Sequence, residues 1–157
     1  MSTFVVGETF EHDHHVIDEQ FAQFKRGLVE GEWLEEPFNG ASEGLRHHIY
    51  VEEESLFPFL RVGGLVAPVM VMLREHGEIW QALDSVDSEI RGGRDASRAL
   101  AGIATLESAL EQHNTKEERI LYPASGQVLS AANTEAVRVA FESGKRPDGW
   151  LPGNLRR

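Results

Sequence analysis

The chain has 157 residues, 41% apolar and 26% charged, a composition that excludes disorder and a collagen-like fibre and suits one domain with a buried core. Its 26 Asp and Glu against 15 Lys and Arg give a formal net charge of -11, so most of the surface repels a phosphate backbone and nucleic acid is not an expected partner. With no cysteine, disulfides, thiolate metal sites and cysteine nucleophiles are ruled out, and any metal must be held by His, carboxylates or solvent.

The opening MSTFVVGETFEHD is too acidic, and too short in its apolar run, for a signal peptide. No later stretch approaches the roughly 18 apolar residues of a membrane span, so a cytoplasmic protein with no membrane association is expected. Apolar spacing is helical throughout. The first helix is expected from about Thr9 to Leu28, with Phe10, Ile17, Phe21, Phe24 and Leu28 on one stripe before Gly31 interrupts. A second starts near Pro37 with Phe38, Ala41, Leu45, Leu56 and Phe59 facing inward, and Pro58, Gly63 and Gly64 mark where it must distort or stop. A third runs from about Val66 to Ile90 on Val69, Met72, Leu73, Ile79, Leu83 and Val86, closed by Gly92 and Gly93. The fourth spans roughly Ala96 to Pro123 on Leu100, Ile103, Leu106, Leu110, Ile120 and Leu121.

Short connections between four such helices predict an all-α, up-down-up-down antiparallel four-helix bundle over residues 1-125. Residues 126-157 are expected to add a short helix from Thr134 to Ser143 and an irregular tail from Gly144 to Arg157, docked by Trp150 and Leu151.

Laid side by side, the second and fourth helices repeat. His48 to Pro58 and His113 to Pro123 both read HxxxEExxL[FY]P without a gap, a coincidence expected in well under about one in a thousand random pairs. Asp13-His14 before Ile17 and Glu75-His76 before Ile79 form a fainter echo, so the repeating unit is a helix pair.

The stripes decide which polar groups turn inward. His14 lies between Phe10 and Ile17, His48 and Glu52 between Leu45 and Leu56, His76 between Leu73 and Ile79, and His113 and Glu117 between Leu110 and Ile120. Burying six unpaired polar groups would cost several kcal/mol. Residues four apart share a helix face, so each His-Glu pair reaches a common centre, and two metal ions compensate all six best. Each ion would take two His, with Glu52 and Glu117 bridging ions about 3.5 to 4 Å apart. Nitrogen and oxygen ligands at more than four coordination favour iron or manganese over tetrahedral zinc. His12, His15 and His47 lie off the stripes and are expected in solvent or behind the ligands. Glu53 and Glu118 follow one position later, with Glu118 an alternate ligand, and Tyr50 and Tyr122 are expected to pack or support.

These residues resemble the hemerythrin-like family, the HHE cation-binding domains, from about residue 8 to 125. The matching pieces are D13-H14-x-x-I17-D18, H48xxxEExxLFP, E75-H76-x-x-I79 and H113xxxEExxLYP. The resemblance implies a four-helix bundle around a non-haem, oxo- or hydroxo-bridged di-iron centre that meets O2, NO or peroxide, with His14, His48, Glu52, His76, His113 and Glu117 as ligands and manganese less favoured than iron. Oxygen carriers of the family have a fifth histidine where this chain has Trp80, and an Asp five residues after the last His where this chain offers Glu117 at four and Glu118 at five. The extra open positions weaken a simple reversible carrier. Three functions compete: binding O2 or NO for sensing or buffering, decomposing hydrogen peroxide as a di-iron enzyme, and serving as a metal-dependent interaction module or iron sensor. No protein partner is identified, and small-ligand binding is placed first.

Overall fold

The computed structural model describes residues 3-156; the first two residues, and the last residue of the expected tail, lie outside the described residues. Every regular element in that range is helical. The long helices are α1 (Val6–Val29), α2 (Glu35–Val51), α4 (Val66–Arg91) and α5 (Ala96–Lys116), with the short α3 (Phe57–Val62), α6 (Tyr122–Val128) and α7 (Ala131–Ser143) between and after them. The stops are those the glycines announced: Gly31 and Gly64 take φ of 81° and 100°, which a side chain at either place would oppose.

The long helices meet side by side. Asp13 meets His48 and Phe21 meets Phe38 across α1 and α2. Arg46 bonds Asp84 while Glu53, just past α2, bonds His76, and on the far side His113 meets Glu75 as Gly102 lies against Val86. Helix α5 also meets α1, where Glu107 pairs with Lys25 and Glu118, just past α5, with His14.

Two π-helical turns break the expected second and fourth helices, at Glu52–Leu56 and Glu117–Leu121. The amides of Phe57 and Tyr122 bond the carbonyls of Glu52 and Glu117, five residues back. Pro58 and Pro123 follow immediately, and a proline ring would strike the carbonyl four residues before it in a regular α-helix, so a widened turn relieves the clash. The extra residue per turn also shifts the buried face. Ile120, expected inside, is 50% exposed and Leu121 takes the core place; Phe59 is only half-buried, while Phe57 and Leu60 are buried. Leu73 and Leu100 are half-buried too.

The remaining stripe residues are buried as expected, and they form two apolar clusters. One is built around Ile17, Phe21, Phe38, Leu83 and Leu106, the other around Phe10, Leu56, Phe57, Met72 and Leu121. The predicted polar residues occupy the layer between them. Helix α7 starts three residues earlier than expected, capped by Ser130, whose hydroxyl accepts from the Asn133 amide at 3.1 Å. In the tail Trp150 docks but Leu151 does not, being 41% exposed. Among the described residues no helix is long and apolar enough to cross a membrane.

Candidate metal centre

His14 of α1, His48 of α2, His76 of α4 and His113 of α5 stand in one layer with Glu52 and Glu117, the first residues of the two π turns. None of the six is more than 3% exposed. Opening the helix at these carboxylates aims both glutamates into the bundle, a use of π turns common at functional sites.

One donor atom from each of Glu52, His76, His113 and Glu117 lies within 4.8 Å of the others, and so does one from each of His14, His48 and Glu117. Glu117 belongs to both groups. Its Oε1 stands 3.2 Å from Nε2 of His14 and of His113, while Glu52 stands 3.2 Å from Nε2 of His76 and 3.4 Å from Nε2 of His48. All four inward atoms are therefore Nε2.

The outward nitrogens explain this. Nδ1 of His14 faces Glu118 at 2.8 Å, that of His48 faces Asp13 at 2.8 Å, that of His76 faces Glu53 at 2.8 Å and that of His113 faces Glu75 at 3.0 Å. An ionised carboxylate only accepts, so each Nδ1 carries a proton, and each inward Nε2 offers a lone pair whenever its imidazole is neutral. Each half of the repeat follows one rule. The first glutamate of the EE pair enters the centre and the second turns back to hold a histidine of the other helix pair, while the acid preceding His14 or His76 holds the histidine of the neighbouring helix. Glu118, the alternate ligand, is placed by this rule on His14 and outside the central cluster.

The centre repels itself unless something positive enters it. Nε2 of His14 and of His48 are 3.1 Å apart, an arrangement that two lone pairs tolerate only with a proton or another cation between them. Among the described residues, Glu52 Oε1, Glu117 Oε2 and His76 Nε2 are buried without an aligned hydrogen bond, even though Glu52 Oε1 and His76 Nε2 stand 3.2 Å apart, whereas buried polar groups are almost always satisfied. Protonation answers this need in the metal-free protein. Burial pushes His113 down, but the Glu117 charge and the hydrogen bonds that the imidazole donates to Glu117 and Glu75 reverse that and raise it to about 10. Burial is likewise outweighed at His48, by Glu52 and Asp13, and at His76, by Glu52 and Glu53, so both lie above the ordinary imidazole value. Glu117, also opposed by burial, is held well below the usual carboxylate range by His113 and His14. The His113 hydrogen bond, opposed by burial and helped by Lys116, lowers Glu75 to about 2. Imidazole and carboxylate donors with oriented outer partners fit metal cations, which compensate the same charge without protons.

Tyr122 enters the site with more than packing. Its hydroxyl donates to Glu52 Oε2 at 2.8 Å and lies 3.2 Å from Glu117 Oε1 and from Nε2 of both His14 and His48. Burial, with Glu117 and Glu52 alongside, raises it well above its ordinary value, so it keeps its proton. The equivalent position in the first repeat is Phe57, whose ring stacks on His76 at 5.5 Å. The two half-sites differ by that hydroxyl, and the LFP and LYP endings of the repeat were the signal for it. Asp13 and Glu75 were visible only as an echo, because an acid beside a histidine does not announce which helix it faces.

The remaining histidines stand outside the cluster. His12 and His15 are exposed, and His47 is half-buried with Nε2 at 2.9 Å from the Phe141 carbonyl of α7. Trp80 is buried, with the Arg46 guanidinium 4.4 Å from its ring centre and Trp150 of the tail 5.7 Å away.

The family model for the hemerythrin HHE cation binding domain matches residues 5–125. Comparison with curated proteins and with solved structures finds no significant match. The matched range holds all four inward histidines, both central glutamates and the four carboxylates behind them, and the chain belongs to the hemerythrin HHE cation-binding domain family.

Proposed function

We propose that residues 1-125 form an up-down-up-down four-helix bundle that holds two iron ions and binds O2 or NO, for sensing or buffering in the cytoplasm, with residues 126-157 packed on it as an appendage. His14 and His48 would hold one ion, His76 and His113 the other, and Glu52 and Glu117 would be shared. The observation that carries this reading is the inward Nε2 of each of four imidazoles, all oriented by a carboxylate on Nδ1. Four imidazoles against two carboxylates suit iron better than manganese, which prefers oxygen donors. When bound, iron supplies a change of valence in contact with a small diatomic ligand. The chain's own contribution is to orient the imidazoles, balance the ions with Glu52 and Glu117, and exclude water by the apolar clusters above and below the layer.

Elemental analysis of protein grown with ample iron should give about two iron atoms per chain. Rapid-mixing spectra of the reduced protein with O2, NO and peroxide then identify the ligand. A single zinc, or no metal, would sink the di-iron reading.

Tyr122 favours a second reading, a di-iron enzyme that decomposes hydrogen peroxide, because its hydroxyl places a hydrogen-bond donor among the ligands. Tyr122→Phe separates the two. If the centre only binds, NO association in the variant stays near that of the parent. If the Tyr122 hydroxyl serves a peroxide reaction as a hydrogen-bond donor, peroxide consumption falls about 100-fold while iron content holds. Either way, thermal unfolding should show about 1 to 3 kcal/mol lost with the buried hydrogen bond to Glu52.

A further inference from the structure

The tail beyond the family match reaches the metal centre. The Trp150 indole ring lies against Tyr50 at 5.2 Å and Trp80 at 5.7 Å, and its Nε1 donates to Glu54 at 2.9 Å. Arg156 donates to the same carboxylate at 2.8 Å and to the Leu151 carbonyl at 2.9 Å, closing the segment on itself. Between these anchors a single 3-10 turn, Gly153–Leu155, presses on α4 beside His76. The turn packs over Gly77, where a Cβ would make ordinary contact with Asn154 at 3.4 Å and Leu155 at 3.5 Å.

The turn's first amide is the important one. Gly153 N–H donates to Glu53 Oε1 at 2.8 Å, while Glu53 Oε2 faces His76 Nδ1 at 2.8 Å. Glu53 is thus fixed at both oxygens and only 9% exposed. Its counterpart in the other repeat, Glu118, meets His14 through Oε2 and has no second hydrogen bond among the described residues, and its side chain is 26% exposed against 5% for that of Glu53. The two half-sites are supported unequally, and the difference comes from outside the bundle.

We propose that residues 150-156 are a positioning element of the centre: the Gly153 amide locks Glu53, and through it the His76 imidazole, so the tail sets how firmly the His76 side holds its ion. This rests on the metal-binding reading above. A carboxylate held at one oxygen can swing about its last torsion and carry its imidazole with it, whereas one held at both cannot.

Gly153→Pro and Gly153→Ala test the amide itself. Proline removes the donor and places a ring methylene against Glu53. The backbone suits it, because Pro152 has the ψ of 146° that a residue before proline adopts and Gly153 has no positive φ. Alanine keeps the donor, and its Cβ would meet Glu53 Oε1 at an ordinary 3.5 Å. With iron loaded, Gly153→Pro should release one of the two ions to a chelator about tenfold faster than the parent, and Gly153→Ala should match the parent. In the metal-free protein, long-range 15N–1H spectra should show the His76 ring resonances moving in Gly153→Pro while those of His14, His48 and His113 hold. Unchanged release together with an unmoved His76 resonance in Gly153→Pro would overturn the proposal. A parent that takes up no iron would instead refute the di-iron reading, and the metal-free spectra would still decide whether the tail positions His76.

Discussion

Replacing Glu117 by Ala should abolish retention of both ions, whereas Glu52→Ala should release one more readily than the other. Glu117 belongs to both groups of converging donors, with one oxygen 3.2 Å from His14 and from His113, while Glu52, though also 3.4 Å from His48, converges most tightly with His76 and His113. Metal affinity in Glu117→Ala should fall more than about 100-fold, beyond the usual effect of losing an outer partner, because a ligand and its charge go together. The metal-free protein should suffer as well. Glu117 is the main charge holding His113 protonated, and breaking a buried pair by removing one partner costs about 3 to 5 kcal/mol. Glu117→Gln separates charge from volume: it should lose metal like the alanine variant while leaving no cavity. Iron content equal to the parent's in Glu117→Ala and Glu52→Ala would refute the assignment of both carboxylates.

The six inward residues were legible because helical spacing places a residue on a face regardless of its chemistry, and a polar side chain on an apolar stripe stands out there. His14, His48, Glu52, His76, His113 and Glu117 are all buried in one layer. What the spacing hid came from a change in the spacing itself. A stripe projected at 100° per residue assumes a regular α-helix, and each π turn adds a residue after the central glutamate, so the face predicted beyond it slips. Ile120 is outside and Leu121 inside for that reason. Both proline positions in the repeat carried the signal, since each makes the regular turn before it unfavourable.

The support around the ligands was less legible, because it depends on which helix lies opposite. Asp13 and Glu75 are ordinary acids in sequence, yet each meets the imidazole of the next helix. The tail was hidden more deeply. Gly153 acts through its amide, which every residue but proline possesses, and no composition or motif distinguishes an amide that meets Glu53 from one that meets water. Trp80, which the sequence suggested only as an absent fifth imidazole, instead carries that tail by packing on Trp150.

The metal-free protein should be most stable between about pH 4.5 and 6.5 and should weaken on both sides, and iron should remove the loss on the alkaline side. His48, His76 and His113 are raised above 6.5 in the fold, so the stability they contribute is complete below about 6.5 and is lost as pH climbs through their folded values, about 10 for His113. Glu117 is held well below 4.5, so its contribution is present above about 4.5 and is lost as pH falls through its folded value. Each proton that the fold holds and the unfolded chain does not is worth about 1.4 kcal/mol per pH unit, and three imidazoles lose theirs on the alkaline side. Metal bound at the inward nitrogens takes the place of those protons, so the loaded protein has none to surrender there. Loading at neutral pH should release protons, measurable as buffer-dependent heat in calorimetry. Denaturant unfolding from pH 4 to 10, with chelator and with iron, gives the comparison. If both forms lose stability with the same slope above about pH 6.5, then protons and metal are not competing for His48, His76 and His113, and the centre is not held together by the charge exchange described here.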